Sequence, residues 1–306
     1  GDSMALMRDL LLVAVISLSL TNPIKAQAHE NTWSTEGGYT VLAEQYTAVW
    51  CEVCAEVDPW MPEFTQSNGN RVARVALHDD FDDPMGTPIT DHRVSRYTNG
   101  SPAAPSFWFD GEILAGGAPD RSTMHRQLLS AEGSRSDDTR IEIEATFDSG
   151  NMHIETSLSE WSSLEQTQIS IFIIEDSVVI EEAEAINGVY RHHDVVRAYH
   201  EVSLNDEDNK WSYGGDSFLL SEGNLSYSSS EITLSIVASF DSDLDPDELS
   251  IVAVHETIGE LEAHSTLGAL KLEIGEESGH SLIGLSLPLA VMVILSMLSF
   301  KARSRR

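Results

Sequence analysis

The sequence holds two cysteines, Cys51 and Cys54, with only two residues between them, and that spacing constrains the chain more than any other feature. An apolar run from Tyr39 to Glu44 suits a buried strand, and a short loop joins it to Trp50 and Cys51. The stretch CEVCAEVDPWMPEF then places Glu52, Glu56 and Asp58 in early helical positions, where carboxylates favour the positive end of a helix dipole. A helix is therefore predicted to begin at Cys51. Pro59 is expected to kink it, while Trp60, Met61 and Phe64 continue an apolar face. Unpaired backbone N–H groups at a helix start stabilise a thiolate. A thiol three residues on can attack a mixed disulfide at the first sulfur, releasing the partner and leaving an internal disulfide. On this reading Cys51 is the exposed attacking thiol and Cys54 the buried resolving one. A static disulfide that staples the helix start is the alternative. A zinc site lacks ligands: two thiolates need two more, and neither His78 nor His92 belongs to a second pair with structural-zinc spacing. No metal or other cofactor is expected.

Fifty acidic residues stand against 18 basic ones, a formal charge of −32, so a phosphate backbone is repelled and nucleic acid is excluded as a partner class. Two apolar runs differ in length and flanks. Leu10 to Leu20 is short and ends at Ala26-Gln27-Ala28, the pattern of a secretion signal over residues 1–28. Ser281 to Phe300 is uncharged and long enough as a helix to cross a hydrocarbon core of about 30 Å, with Pro288 a tolerated kink. The basic tail at 301–306 belongs in the cytoplasm by the positive-inside tendency. The expectation is a single-pass membrane protein whose bulk is extracytoplasmic and disulfide-permissive.

Beyond the cysteines, RVARVAL (71–77) reads as a strand and HDDFDDPMGTP as a turn-rich loop on the functional side. A helix over 90–97, a strand over 106–109, an Asp110-Gly111 turn, a strand over 112–115 and a helix capped by Asp120 or Ser122 complete a β-α-β-α-β-β-α order. Residues 29–131 form this α/β unit, and the hydrophilic stretch 132–139 reads as a linker. From 140 to 274 short alternating runs such as IEIEATF, QISIFII and LSIVAVHET predict an all-β sandwich, with 275–280 a stalk.

WCEVC, Pro59, Ala104-Pro105 before an apolar strand, and Asp110-Gly111 together resemble the thioredoxin superfamily over roughly residues 36–131. The resemblance implies that Pro105 is the cis-proline beside the disulfide, with Pro102 the fallback. It implies too that Ala104 offers its backbone, and Trp50 its surface, to an extended substrate. Two departures stand out. The family's buried acid six residues before the first cysteine is replaced by Gln45, and strand alternation aims the neighbouring Glu44 the other way. Glu52-Val53 replaces the usual Gly-Pro, and the Glu52 charge opposes a thiolate at Cys51, which makes the couple more reducing. Glu44 and Glu52 are thus the modulating candidates.

The order of an α/β unit with a long acidic insertion followed by a β-sandwich also resembles a group of outer-membrane-related exported proteins. There, as here at RHHDVVR (191–197) and SIVAV (250–254), a His-containing turn precedes a strand and a late strand is strongly apolar. His192, His193, His200 and His255 are read as structural or solvated, since adjacent histidines on a strand face opposite ways. The implied activity is thiol:disulfide exchange on exported proteins, with a membrane partner that recharges the dithiol. The alternative is a non-catalytic envelope or surface binding protein that uses the fold as scaffold.

Overall fold

The computed structural model describes residues 31–100, 102–114, 117–135, 139–148, 150–215, 217–240, 244–258 and 265–275. The expected signal at 1–28, most of the stalk, the apolar run at 281–300 and the tail lie outside them. Among the described residues no helix is long and apolar enough to cross a membrane.

The elements in chain order are β1 (Asn31–Gly37), β2 (Val41–Thr47), α1 (Cys54–Val57), a 3-10 turn Asp58–Trp60, α2 (Met61–Asn68), β3 (Val72–His78), α3 (Pro88–Val94), β4 (Ser106–Phe109), β5 (Glu112–Leu114) and α4 (Arg121–Ser134). There follow β6 (Arg140–Asp148), β7 (Asn151–Ser159), β8 (Thr167–Glu175), β9 (Val178–Val179), β10 (Arg191–His192), β11 (Val195–Ser203), β12 (Lys210–Tyr213), β13 (Phe218–Leu220), β14 (Asn224–Tyr227), β15 (Ile232–Phe240), β16 (Leu249–Thr257) and β17 (Thr266–Glu273). The fold is mostly β with short helices. The predicted β-α-β-α-β-β-α order appears between β2 and α4. Asp110 and Gly111 both take positive φ, as a two-residue hairpin requires, and the Asp120 side chain accepts the Thr123 N–H to cap α4.

Parallel β2 and β3 place Val41 opposite Val72, and β4 runs antiparallel to β2 with Glu44 opposite Trp108. The sheet does not stop there. β11 lies parallel to β3, Val195 opposite Ala76, and continues through β8 to β16 and β17. The stretch before the expected linker and the stretch after it therefore share one sheet, ordered β17-β16-β8-β11-β3-β2-β4-β5. The helix α4 runs on to Ser134, into the stretch read as linker. A second sheet, ordered β1-β6-β7-β15-β13, takes its first strand from residues 31–37, ahead of the cysteine loop.

Alternation distributes the core. Leu42, Trp108, Phe172, Tyr199 and Val252 pack on one face of the long sheet. On the other face Ile171, Ile173, Ile251 and Ala253 meet Ile141, Ile154 and Ile236 of the second sheet. On that same face Val41, Ala43 and Phe107 meet Met61, Phe64 and Leu128 of the helices. Strands covered on both faces read as continuous apolar runs, which is why LSIVAVHE is buried throughout. A cleft of about 840 Å³ opens at the seam between helices and second sheet, lined by Trp33, Pro59, Gln66, His193, Asp194 and Lys271 among others.

Candidate functional site

The loop from β2 to α1 ends in a disulfide between Cys51 and Cys54, Cα atoms 5.2 Å apart. The helix itself opens at Cys54, not at Cys51 as the sequence suggested. Cys51 instead stands ahead of the helix: its carbonyl accepts the Ala55 N–H at 3.3 Å and its Sγ accepts the Cys54 N–H at 3.0 Å. The predicted kink is a full break, because the 3-10 turn with Pro59 separates α1 from α2.

Both sulfur residues are buried. Cys54 is fully so, and Cys51 exposes 5 % of its surface rather than standing open. The loop is braced from far along the chain. Asn187 Nδ2 donates to the carbonyls of Ala48 at 3.2 Å and Cys51 at 3.1 Å, and its backbone N–H donates to Val49 at 2.8 Å. On another side Asp83 accepts the Val49 N–H at 2.9 Å and pairs with His78 Nδ1 at 2.9 Å. Burial opposes the Asp83 charge, but the bond from His78 and the two backbone donors hold its carboxyl below the usual range. His192 stacks edge-on against His78 with ring centroids 5.0 Å apart. Burial, and then the His78 charge, push His192 down to about 4. No local pattern marks Asn187. Asp83 sits in the acidic loop that the sequence did place on the functional side.

Ala104 packs directly on the two cysteines, and the Ala104–Pro105 bond is cis. The cis bond thus falls at Pro105, directly after the alanine that packs on the cysteine cluster. Trp50 is partly exposed, its Nε1–H donating to the Phe81 carbonyl at 3.1 Å. Glu52 is exposed between the cysteines.

Glu44 and Gln45 project to opposite faces, as alternation requires. Gln45 faces the helices, where its Nε2 donates to Asp58 at 2.5 Å and its Oε1 accepts from Arg74 at 2.8 Å. Thr47 also donates to Asp58, at 2.8 Å. A buried carboxylate is therefore present one helical turn beyond Cys54, though not at position 45. Glu44 faces α3, where Arg93 binds it at 2.7 and 3.1 Å and binds Glu256 of β16 at the same two distances. Burial works against the Arg93 charge, and Glu256 and Glu44 more than reverse it, so the guanidinium stays above its usual range. Burial likewise opposes the Glu256 charge, but Arg93 and Arg96 hold its carboxyl well below the ordinary range. The partners of Glu44 are Arg93 and Tyr97, so this carboxylate holds the arginine that reaches Glu256 in the other part of the long sheet rather than reaching toward the cysteines.

The histidines of the β-rich part go separate ways. His193 bonds Asp176 at 2.6 Å and His255 bonds Thr139 at 2.8 Å, while His200 is buried on β11. Among the described residues no group of three or more His, Cys, Asp and Glu side chains is placed to hold a metal ion. Neither cysteine lines the seam cleft.

The fold and the site define a β-rich protein with one CxxC disulfide at the mouth of a helix, backed by a cis-proline. No protein-family model and no curated protein matches the sequence. Solved structures do. HBP35 of Porphyromonas gingivalis superimposes with a TM-score of 0.54 at 12% identity, covering 77% of this chain and 75% of its own. A crystallised protein from Agrobacterium tumefaciens gives 0.50 at 14% identity, covering 78% of this chain and 95% of its own. At such identities the likeness is one of fold. It extends past the length of the cysteine-bearing unit, so the joined architecture is what the three chains have in common.

Proposed function

We propose that this protein is a thioredoxin-like thiol:disulfide oxidoreductase that exchanges its Cys51–Cys54 disulfide with thiols of other proteins. The observation that carries the reading is the Cys54 N–H directed at Cys51 Sγ over 3.0 Å. When the disulfide opens, that N–H and the neighbouring helix start stabilise a thiolate at position 51. Cys54, three residues away and fully buried, is the resolving thiol. Ala104 packed on the cysteines, followed by cis-Pro105, gives an extended substrate backbone a place to lie, in keeping with the β-strand type of peptide recognition. Glu52, exposed beside Cys51, opposes the thiolate and biases the couple toward reduction of its clients. The sequence-based placement at a membrane with an outward-facing bulk belongs to the same proposal, since a stable disulfide suits an extracytoplasmic compartment. So does a membrane partner that returns the pair to its working state.

The burial of both cysteines favours a second reading, a binding protein whose disulfide is structural. A Cys54→Ser variant separates them. Exchange predicts covalent adducts between Cys51 and client proteins, resolved by dithiothreitol, together with insulin reduction by the unmodified chain. The structural reading predicts neither, and their absence overturns the redox assignment.

A further inference from the structure

Eleven large hydrophobic residues are exposed among the described residues, and six of them, Trp50, Val53, Phe81, Val179, Ile186 and Tyr190, sit on three segments tied to the cysteine loop. Trp50 flanks Cys51 and Val53 stands between the cysteines. Phe81 is tied in through its carbonyl, which binds Trp50, and Ile186 through its neighbour Asn187, which binds Val49 and Cys51. Phe81 is 79% exposed and Ile186 61%. Apolar side chains gathered around one feature mark an interaction surface. The same segments, 48–58, 79–91 and 176–190, contain no Lys or Arg. Their exposed carboxylates include Glu52, Asp80, Asp82, Glu181, Glu182 and Glu184. A surface of one sign attracts its opposite and repels its like. A second copy of this chain, at −32, and an anionic membrane are both disfavoured occupants.

We infer that the disulfide face docks an extended polypeptide carrying apolar and cationic side chains beside its cysteines. This names the substrate class of the exchange reaction proposed above and rests on that reading. A client thiolate attacks Cys51 Sγ, the Cys51–Cys54 bond breaks, and the electron pair leaves on Cys54, which takes up a proton. A second client thiolate then attacks the client sulfur of the mixed disulfide and releases Cys51 as a thiolate. The client dithiol has become a disulfide, and the protein holds two electrons as a dithiol. The reverse sequence reduces a client by the same contacts.

The test uses the oxidised full chain and three synthetic peptides with the same pair of cysteines, flanked by Leu and Lys, by Leu and Glu, or by Ser and Lys. Dithiothreitol serves as the reference thiol. The Leu/Lys peptide is expected to react about tenfold faster than the Leu/Glu peptide at low salt, with the gap closing as salt screens the carboxylates. In the double variant Phe81→Ser/Ile186→Ser, the Leu/Lys peptide should lose its lead over the Ser/Lys peptide. Equal peptide rates, with dithiothreitol still exchanging, overturn the docking surface and leave the redox reading standing. Failure of peptides and dithiothreitol alike overturns the redox reading, and this inference with it.

Discussion

Arg93 is where the two parts of the long sheet are bolted together, and its replacement by Met gives the sharpest test of the architecture. The guanidinium is completely buried and makes six hydrogen bonds: two to Glu44, two to Glu256, one to Tyr199 at 3.0 Å and one to Tyr97 at 3.2 Å. It also lies over the Phe172 ring, 5.0 Å from its centroid. Met fills much of the volume but leaves Glu44 without its cation, while Glu256 keeps Arg96 at 3.3 Å. Removing one member of a buried ion pair costs about 3–5 kcal/mol, most of it the penalty on the stranded charge. With a urea slope of about 3 kcal/mol/M, the midpoint should fall by 1 to 2 M, roughly. The companion Glu44→Gln/Arg93→Met removes the stranded carboxylate and should recover part of that loss. Circular dichroism and tryptophan fluorescence are expected to report one coincident transition, since β3 and β11 are neighbours in one sheet. A midpoint shift below about 0.3 M, or two separated transitions, refutes the argument that this ion cluster couples the parts.

Acid should destabilise the fold before its carboxylates titrate. His192 and His200 are both held at about 4, chiefly by burial, against 6.5. In the unfolded chain they bind protons as pH drops through 6.5, so stability is complete above that value and declines toward 4, by up to about 3 kcal/mol for each histidine. Urea midpoints at pH 7.5 and 4.5 check this, and a flat profile contradicts it. Asn187→Ala removes the donor to Ala48 and Cys51 and should speed alkylation of Cys51 in the reduced protein, as measured by iodoacetamide kinetics; an unchanged rate means the cover lies elsewhere. Asp58→Ala leaves Gln45 and Thr47 without their acceptor and should cost about 1–3 kcal/mol in denaturant melts, whereas Asp58→Asn should cost less. Glu52→Gln relieves the thiolate at Cys51, and equilibration with glutathione should show a potential more oxidising by about 10–20 mV, taking the interaction as ~0.5–1 kcal/mol.

What the sequence disclosed and what it withheld follow from the range of the forces involved. Features set by neighbours along the chain were legible: the Asp110-Gly111 hairpin, the Asp120 cap, the alternation that sends Gln45 and Glu44 to opposite faces, and the cysteine spacing. The start of α1 lies three residues beyond Cys51, whose sulfur accepts the N–H of the first helical residue. The junction between the parts, and the bonds from Asn187 to the cysteine loop, depend on residues more than a hundred positions apart. No local pattern specifies them.

One signal for the junction was nonetheless present. Val72–His78 is buried at every position, and its sequence VARVALH already lacks the polar face that an edge strand needs to discourage further pairing. Its one long charged side chain, Arg74, is absorbed by Gln45 on one side and by the His193 carbonyl and Asp194 on the other. A strand so composed must have a neighbour on each edge. The cysteine-bearing unit ends in such a strand at β3, and the partner it requires is β11. The loop between β9 and β10, just ahead of β11, brings Asn187 to the Cys51 carbonyl. Loosening β11 from β3 is therefore expected to raise the alkylation rate of Cys51 in the reduced protein without touching the disulfide loop itself.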